Sequence, residues 1–224
     1  MPFYGQWNPP VDEVLFRNYF PGKMDGFFIE AGAGDGVLES CCLFFEQFGW
    51  KGINIEPSDV NFRQLTANRP NALNLQVGLG DCNRTMKFTK ESKDLYIGGE
   101  FDMTDAQKGA MARRGFALED VEREIVTYRM LLAGIAQRVD LLVLDVEGFE
   151  LRAIKGMDGS SHLPDVICIE YPVVGLERIK EMLIPMGYRY DFFSFNNAFF
   201  AKPEIPAKPS WFGASSDLME YAGG

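Results

Sequence analysis

An apolar strand that runs straight into a glycine-rich turn leaves a chain few folds to choose from. Phe27-Phe28-Ile29-Glu30-Ala31-Gly32-Ala33-Gly34-Asp35-Gly36 is such a segment. Glycine at these positions lets the backbone reverse tightly and lets a ligand approach without meeting a side chain. Alone, a glycine trio is as readily an ordinary tight turn. The flanks decide between the two readings. A helical pattern from Val37 to Phe48, stopped by Gly49, leads to a second apolar run, Ile53 to Glu56, whose terminal acid lies twenty residues beyond Gly36. An acid there is placed to accept hydrogen bonds from ribose hydroxyls.

The same alternation continues along the chain. Leu73 to Val77, Leu141 to Asp145 and Val166 to Glu170 are short apolar runs of the kind buried on both faces of a mainly parallel sheet. Between them, Asp59 to Arg69 is a helix capped by Ser58 and stopped by Pro70, Glu150 to Lys155 is stopped by Gly156, and Gly175 to Met186 is stopped by Gly187. Strand alternating with helix implies right-handed βαβ units, an α/β fold with helices on both faces. Tyr188 to Ser194 and Ala198 to Lys202 flank Phe195-Asn196-Asn197 and read as a terminal antiparallel hairpin. The length of 224 residues suits one domain, 1–224. Within it, 1–25 reads as a helical lead-in and 203–224 as an extended, proline-bearing tail. Residues 91–124, broken by Gly98-Gly99, Gly109 and Gly115, read as an insertion that is equally a surface excursion or a cover over the site.

Charge narrows the partners. A net charge of −10 and a pI near 4.7 disfavour nucleic acids and anionic membranes, since binding to either rests on clustered lysine and arginine. No segment approaches the ~18 apolar residues of a membrane span, and the first residues lack a basic stretch followed by an apolar run. Four cysteines without paired spacing fit a reducing compartment, so a soluble, cytoplasmic protein is expected, with Cys41-Cys42 packing on a helix. His162 is the only histidine, and with no Gly-x-Ser-x-Gly elbow a hydrolase triad finds no support.

A nicotinamide fingerprint needs its third glycine three residues after the second. From Glu30 to Gly36 the order is instead acid-x-Gly-x-Gly-x-Gly, a spacing similar to that of methyltransferases that use S-adenosylmethionine. Glu30 could then receive the methionine ammonium group. Gly32, Ala33, Gly34, Asp35, Glu56, Pro57, Asp81 and Asp145 complete the candidate cofactor site.

Two long stretches carry a family resemblance. Residues Gly26 to Arg69 and the segment VDLLVLDVEGFELRAIKGM, Val139 to Met157, resemble in order the two motif blocks of the FkbM methyltransferases, and Val166 to Pro172 and Gly187 to Lys202 are similar to the family's last strands. Ser40-Cys41-Cys42 departs from the Ser-Asn-Thr often found in that family. The resemblance implies a Rossmann-like class I methyltransferase fold with a seven-stranded, mainly parallel sheet, S-adenosyl-L-methionine as cofactor, and O-methylation of a hydroxyl, most often on a sugar of a glycan or a glycosylated metabolite.

Asp145, Glu147 and Glu170 fall at the carboxyl ends of adjacent strands, where open α/β sheets bind ligands, and are the candidate catalytic groups. Tyr171 is the candidate for stacking on an acceptor. Asp145 and Glu170 could alternatively share a Mg²⁺ or Mn²⁺ ion. Two other functions remain open on the sequence: a binding module that kept the fold without turnover, and, less favoured by the glycine spacing, a nicotinamide-dependent oxidoreductase. The acceptor and the oligomeric state are not legible.

Overall fold

The structure, a computed structural model, describes residues 1–91, 105–115 and 117–206. Apolar runs form the strands of its main sheet. In chain order these are β1 (Phe27–Ala31), β2 (Lys51–Ile55), β3 (Leu73–Leu75), β7 (Leu141–Leu144), β8 (Val166–Glu170), β9 (Arg189–Ser194) and β10 (Asn197–Ala201). The seven are ordered β3-β2-β1-β7-β8-β10-β9. Pairings from β3 through β8 are parallel, whereas β10 runs antiparallel to both β8 and β9. The chain leaves β1 toward β3 on one side and resumes at β7 on the other. That reversal opens a crevice outside the carboxyl ends of β1 and β7, where ligands of such sheets bind.

Strand side chains alternate between two cores, as a period of two requires. Phe27, Ile29, Ala31, Leu142, Leu144, Ile167 and Ile169 pack with Ala153 and Ile154 of α6 (Glu150–Lys155) and Ile179 and Leu183 of α7 (Leu176–Leu183). Phe28, Leu141, Val143, Val166 and Cys168 face the other way, against Val14 and Leu15 of α1 (Val11–Tyr19) and Phe44 and Phe45 of α2 (Leu43–Gln47). With each fully buried Ile, Leu or Phe worth ~1.5–3 kcal/mol, burial on both faces explains why these strands read as continuous apolar runs. Helix α3 (Asp59–Asn68) is capped as expected, the Ser58 hydroxyl accepting from the Asn61 N–H.

One expectation needs correction. The helix expected from Val37 begins only at Leu43, and residues 37–42 form a loop. Side chains outcompete the helix there: Asp35 Oδ1 accepts from Val37 and Leu38 N–H, and Glu30 Oε1 accepts from Cys41 and Cys42 N–H. The cysteine pair therefore precedes α2, and Cys42 is buried in the α1 core. Of the stretch 91–124, read from the sequence as an insertion, the ends pair with each other. β5 (Arg84–Glu91) and β6 (Leu118–Thr127) form a long antiparallel pair, β4 (Gly78–Gly80) joins β6 in parallel, and α4 (Asp105–Arg113) lies between β5 and β6 in sequence. Residues 92–104 and 116 lie outside the described residues. The expected tail is described only at its start. Its first part, 203–206, is fastened to β9 through Arg189, which donates to the Pro203 and Ile205 carbonyls, and 207–224 lie outside the described residues. A one-turn helix α5 (Tyr128–Leu131) follows β6. Among the described residues no helix is long and apolar enough to cross a membrane.

Candidate active site

A cavity of about 280 Å³ occupies the crevice. Its lining combines Gly32 and Gly34 of the turn, Ile55, Glu56 and Pro57 at the end of β2, Asn61 of α3, Gly78 and Leu79 of β4, Phe88 of β5, Ile125 of β6, and Asp145, Val146, Glu147 and Phe149 after β7. The two glycines serve differently. At Gly32, with φ +85°, an added Cβ would lie 1.7 Å from the Asp145 carbonyl oxygen, so the turn can meet the β7 loop only without a side chain. At Gly34, with φ +56°, a Cβ would meet nothing within 4 Å and would point into open space.

Glu56 is held from both sides. Its Oε2 accepts from the Gly34 N–H at 2.9 Å and its Oε1 from the Ser58 N–H at 2.8 Å, which fixes the carboxylate at the cavity wall. Glu30, anticipated as the ammonium ligand, stands apart from Glu56. It is buried under the turn and is absent from the cavity wall. Its oxygens accept from the Ser40 hydroxyl, the Cys41 and Cys42 amides and the Arg69 guanidinium, and Arg69 is itself fully buried and paired with Glu46. A lone buried carboxylate costs several kcal/mol, so this network is what allows an acid inside the central strand. Glu30 therefore shapes the turn from beneath.

On the far wall, Asp145 and Glu170 share a hydrogen bond. Burial and the neighbouring carboxylates Glu170, Glu147 and Glu150 push the Asp145 acid up to about 8. Burial and the charges of Glu147 and Glu150 also raise Glu170, while hydrogen bonds with Asp145 and Asn196 pull it back. Near neutral pH such a pair holds one proton between two oxygens. The metal role anticipated for Asp145 and Glu170 is not supported: among the described residues no group of three His, Cys, Asp or Glu is arranged to hold an ion. Glu147 stands at the turn of this loop with φ +53°, a left-handed backbone that costs a non-glycine residue ~1–3 kcal/mol. Buried Glu150 enforces it, its Oε1 accepting from the Val146 and Gly148 N–H groups.

Of the anticipated site residues, the cavity thus gathers Gly32, Gly34, Glu56, Pro57, Asp145 and Glu147. Ala33 is buried behind the turn, Asp35 caps the following loop, and Asp81 faces Arg84 and Lys155 at 3.8 and 3.9 Å, all away from the wall. Tyr171 sits beside Glu170 with its hydroxyl donating to the Phe195 carbonyl at 2.9 Å. The apolar wall from Leu79, Phe88, Ile125 and Phe149 was not anticipated. The apolar alternation Met86-x-Phe88 was the available signal.

A second aromatic feature lies outside the cavity. Trp7 and Phe195 stack with ring centroids 4.8 Å apart and planes within 8°. Both have left-handed backbones, φ +81° and +51°, and both stay exposed. The stack returns ~0.5–1.5 kcal/mol, less than the combined strain of two such residues at ~1–3 kcal/mol each.

Residues 30–190, well over half of the chain, match the Methyltransferase FkbM domain. Among solved structures, a chain of a fibrillarin/Nop5p complex is 13% identical with a TM-score of 0.45, covering 85% of this chain and 78% of that one. A Methanococcus jannaschii fibrillarin described as a pre-rRNA processing protein is 14% identical with a TM-score of 0.42, covering 87% and 73%. No curated protein matches the chain. The glycine turn, the acid after β2 and the Asp-x-Glu-Gly loop after β7 all fall within the matched span, and the chain belongs to the FkbM family of S-adenosylmethionine-dependent methyltransferases.

Proposed function

We propose that the protein transfers a methyl group to a hydroxyl of a sugar, in a glycan or a glycosylated metabolite, with S-adenosylmethionine held in the crevice cavity. The observation that carries the cofactor's position is the charge of the wall. Glu56, Asp145 and Glu147 line it, and among the described residues no lysine or arginine does. A sulfonium nucleoside with an ammonium group is attracted by such a wall, whereas the pyrophosphate of a nicotinamide dinucleotide is repelled. The open space over Gly34 and the apolar surfaces of Leu79, Phe88, Ile125 and Phe149 fit a nucleoside with a flat base, and Glu56 is the group to receive its ribose hydroxyls.

When bound, the cofactor supplies a methyl group activated by its positive sulfur. The chain's own part is alignment and the proton. An acceptor hydroxyl becomes nucleophilic as it loses its proton, and Asp145, on the cavity wall and hydrogen-bonded to Glu170, is the group to accept it. Glu147 and Glu150 keep the local potential negative, which strengthens that acceptor. Carboxylates together with Tyr171 suit a polyol, since carboxylates accept hydroxyl hydrogen bonds and a ring covers an apolar sugar face. The acidic surface leaves a neutral glycan unopposed.

Incubation with S-adenosylmethionine and neutral deoxyhexose-bearing glycans should add the mass of one methylene, and Asp145→Ala should abolish the gain. Transfer to a protein amine or a carboxylate, with all glycans unmodified, would sink the sugar assignment and spare the cofactor assignment.

A further inference from the structure

Two large aromatic rings stand exposed at the acceptor end of the sheet without serving the core. Trp7 and Phe195 belong to neither buried cluster, yet both are held in strained left-handed backbones and brought face to face. Each is fastened to something rigid. Trp7 lies on an N-terminal arm whose Tyr4 and Gly5 N–H groups donate to the Asp12 carboxylate and whose Gly5 bridges to Glu39 of the loop after the glycine turn. Phe195 is at the tip of the β9–β10 hairpin, and its carbonyl accepts from the Tyr171 hydroxyl.

The next residue ties that tip to the proton-sharing pair. Asn196 bonds the Glu170 carboxyl through its side chain, and its carbonyl accepts from the Tyr171 N–H. The stacked rings thus stand one residue along the chain from a direct partner of the carboxyl pair, outside the cofactor cavity, whose wall includes neither. Both rings remain partly exposed in the stack, and the Phe195 end of it is linked through hydrogen bonds to Tyr171, Asn196 and Glu170. A pyranose has the matching shape, with C–H groups on one face and hydroxyls around the rim.

We propose that Trp7 and Phe195 form the acceptor subsite, an aromatic shelf that takes the apolar face of a pyranose ring and sets which hydroxyl reaches the Asp145–Glu170 pair. This rests on the reading of the protein as a sugar O-methyltransferase. The strain at both positions is then the cost of presenting two rings to a ligand where burial would have hidden them.

The test compares the full-length wild type with Trp7→Ala, Phe195→Ala and Trp7→Phe, using saturating S-adenosylmethionine and the methyl glycosides of hexoses and deoxyhexoses as acceptors. Trp7→Ala and Phe195→Ala should raise the glycoside KM about 10-fold, the scale of a lost aromatic face. They should leave kcat within a few-fold and S-adenosylhomocysteine affinity unchanged, and loosen the choice of methylated position. Trp7→Phe, which keeps a ring for the stack, should recover most of the KM and the positional choice. Unchanged KM and position in both alanine variants, on glycosides that the wild type methylates, would overturn the shelf and leave the sugar reading standing. Loss of S-adenosylhomocysteine binding in step with KM, unrescued by Trp7→Phe, would overturn it in favour of a packing role. Wild-type transfer to non-sugar acceptors alone would bring down the sugar reading and the shelf together.

Discussion

Glu56 and Asp145 occupy equivalent places and are treated in opposite ways. Each is the first residue after a parallel strand, Glu56 beyond β2 and Asp145 beyond β7, and both line one cavity. Glu56 is gripped by two backbone N–H groups, which hold it as a fixed hydrogen-bond acceptor. Asp145 is surrounded by Glu170, Glu147 and Glu150 and is driven to keep a proton. The difference teaches that position at a strand end selects a carboxylate for the site, while its neighbours select what it does there. N–H donors keep a carboxylate charged, and neighbouring acids raise its hold on a proton.

The largest effect should come from Asp145. Asp145→Asn, which keeps the shape and removes the acid, should lower kcat ~10²–10⁴-fold, the range for a general base. The wild type should gain activity as pH rises toward about 8, because only the deprotonated pair accepts the acceptor's proton, and the variant should lose that rise. Stability runs the other way. The Asp145 acid is raised above its ordinary 3.8, so the stability it contributes is present at low pH and is lost as pH climbs to about 8. Asp145→Asn should therefore melt higher than wild type at neutral pH, a trade of stability for function. A variant as active as wild type would break the comparison at its acidic side.

Next in size is the support under the turn. Arg69→Met strips the partner from buried Glu30 and should cost ~3–5 kcal/mol in denaturant unfolding, the penalty for an uncompensated buried charge. A cost near zero would show that Glu30 does not depend on the pairing, and would make it a candidate ligand contact again.

On the binding side, Glu56→Ala should weaken S-adenosylhomocysteine by ~1–3 kcal/mol and leave the pH profile of turnover where it was. A shifted profile instead would mean that the two carboxylates act as one proton-carrying unit.

Smallest is the wall supplied by the second sheet. Phe88, packed against Phe149 at 6.2 Å, should cost ~0.5–1.5 kcal/mol of cofactor affinity on conversion to leucine, read by calorimetry. No change would leave the β4-β6-β5 sheet without a part in the binding half.

What could be read from the sequence follows the range of the interactions. The turn, Glu56 and the Ser58 cap are local, set within a strand, a loop and a helix start, and they stand where the pattern put them. The carboxyl ends of β7 and β8 were legible because apolar runs mark strands and strand ends carry function. The buried network around Glu30 was not legible because it depends on Arg69, 39 residues away. The helix expected at Val37 failed for a related reason, since a carboxylate from β1 claims the Cys41 and Cys42 amides. Phe88 and Ile125 meet at the cavity only through the pairing of β5 and β6, and Trp7 meets Phe195 from the opposite end of the chain. Local patterning does not report contacts of that span.

At the centre of the proposal stands the crevice between β1 and β7, read as an acidic nucleoside site for S-adenosylmethionine with Glu56 as its fixed hydroxyl acceptor. Calorimetric titration of wild type and Glu56→Ala with S-adenosylmethionine, S-adenosylhomocysteine and NAD tests it most directly. Wild type should bind the first two saturably, the variant should bind both more weakly, and neither should bind NAD. Binding of NAD without S-adenosylmethionine, or affinities untouched by loss of Glu56, would contradict it.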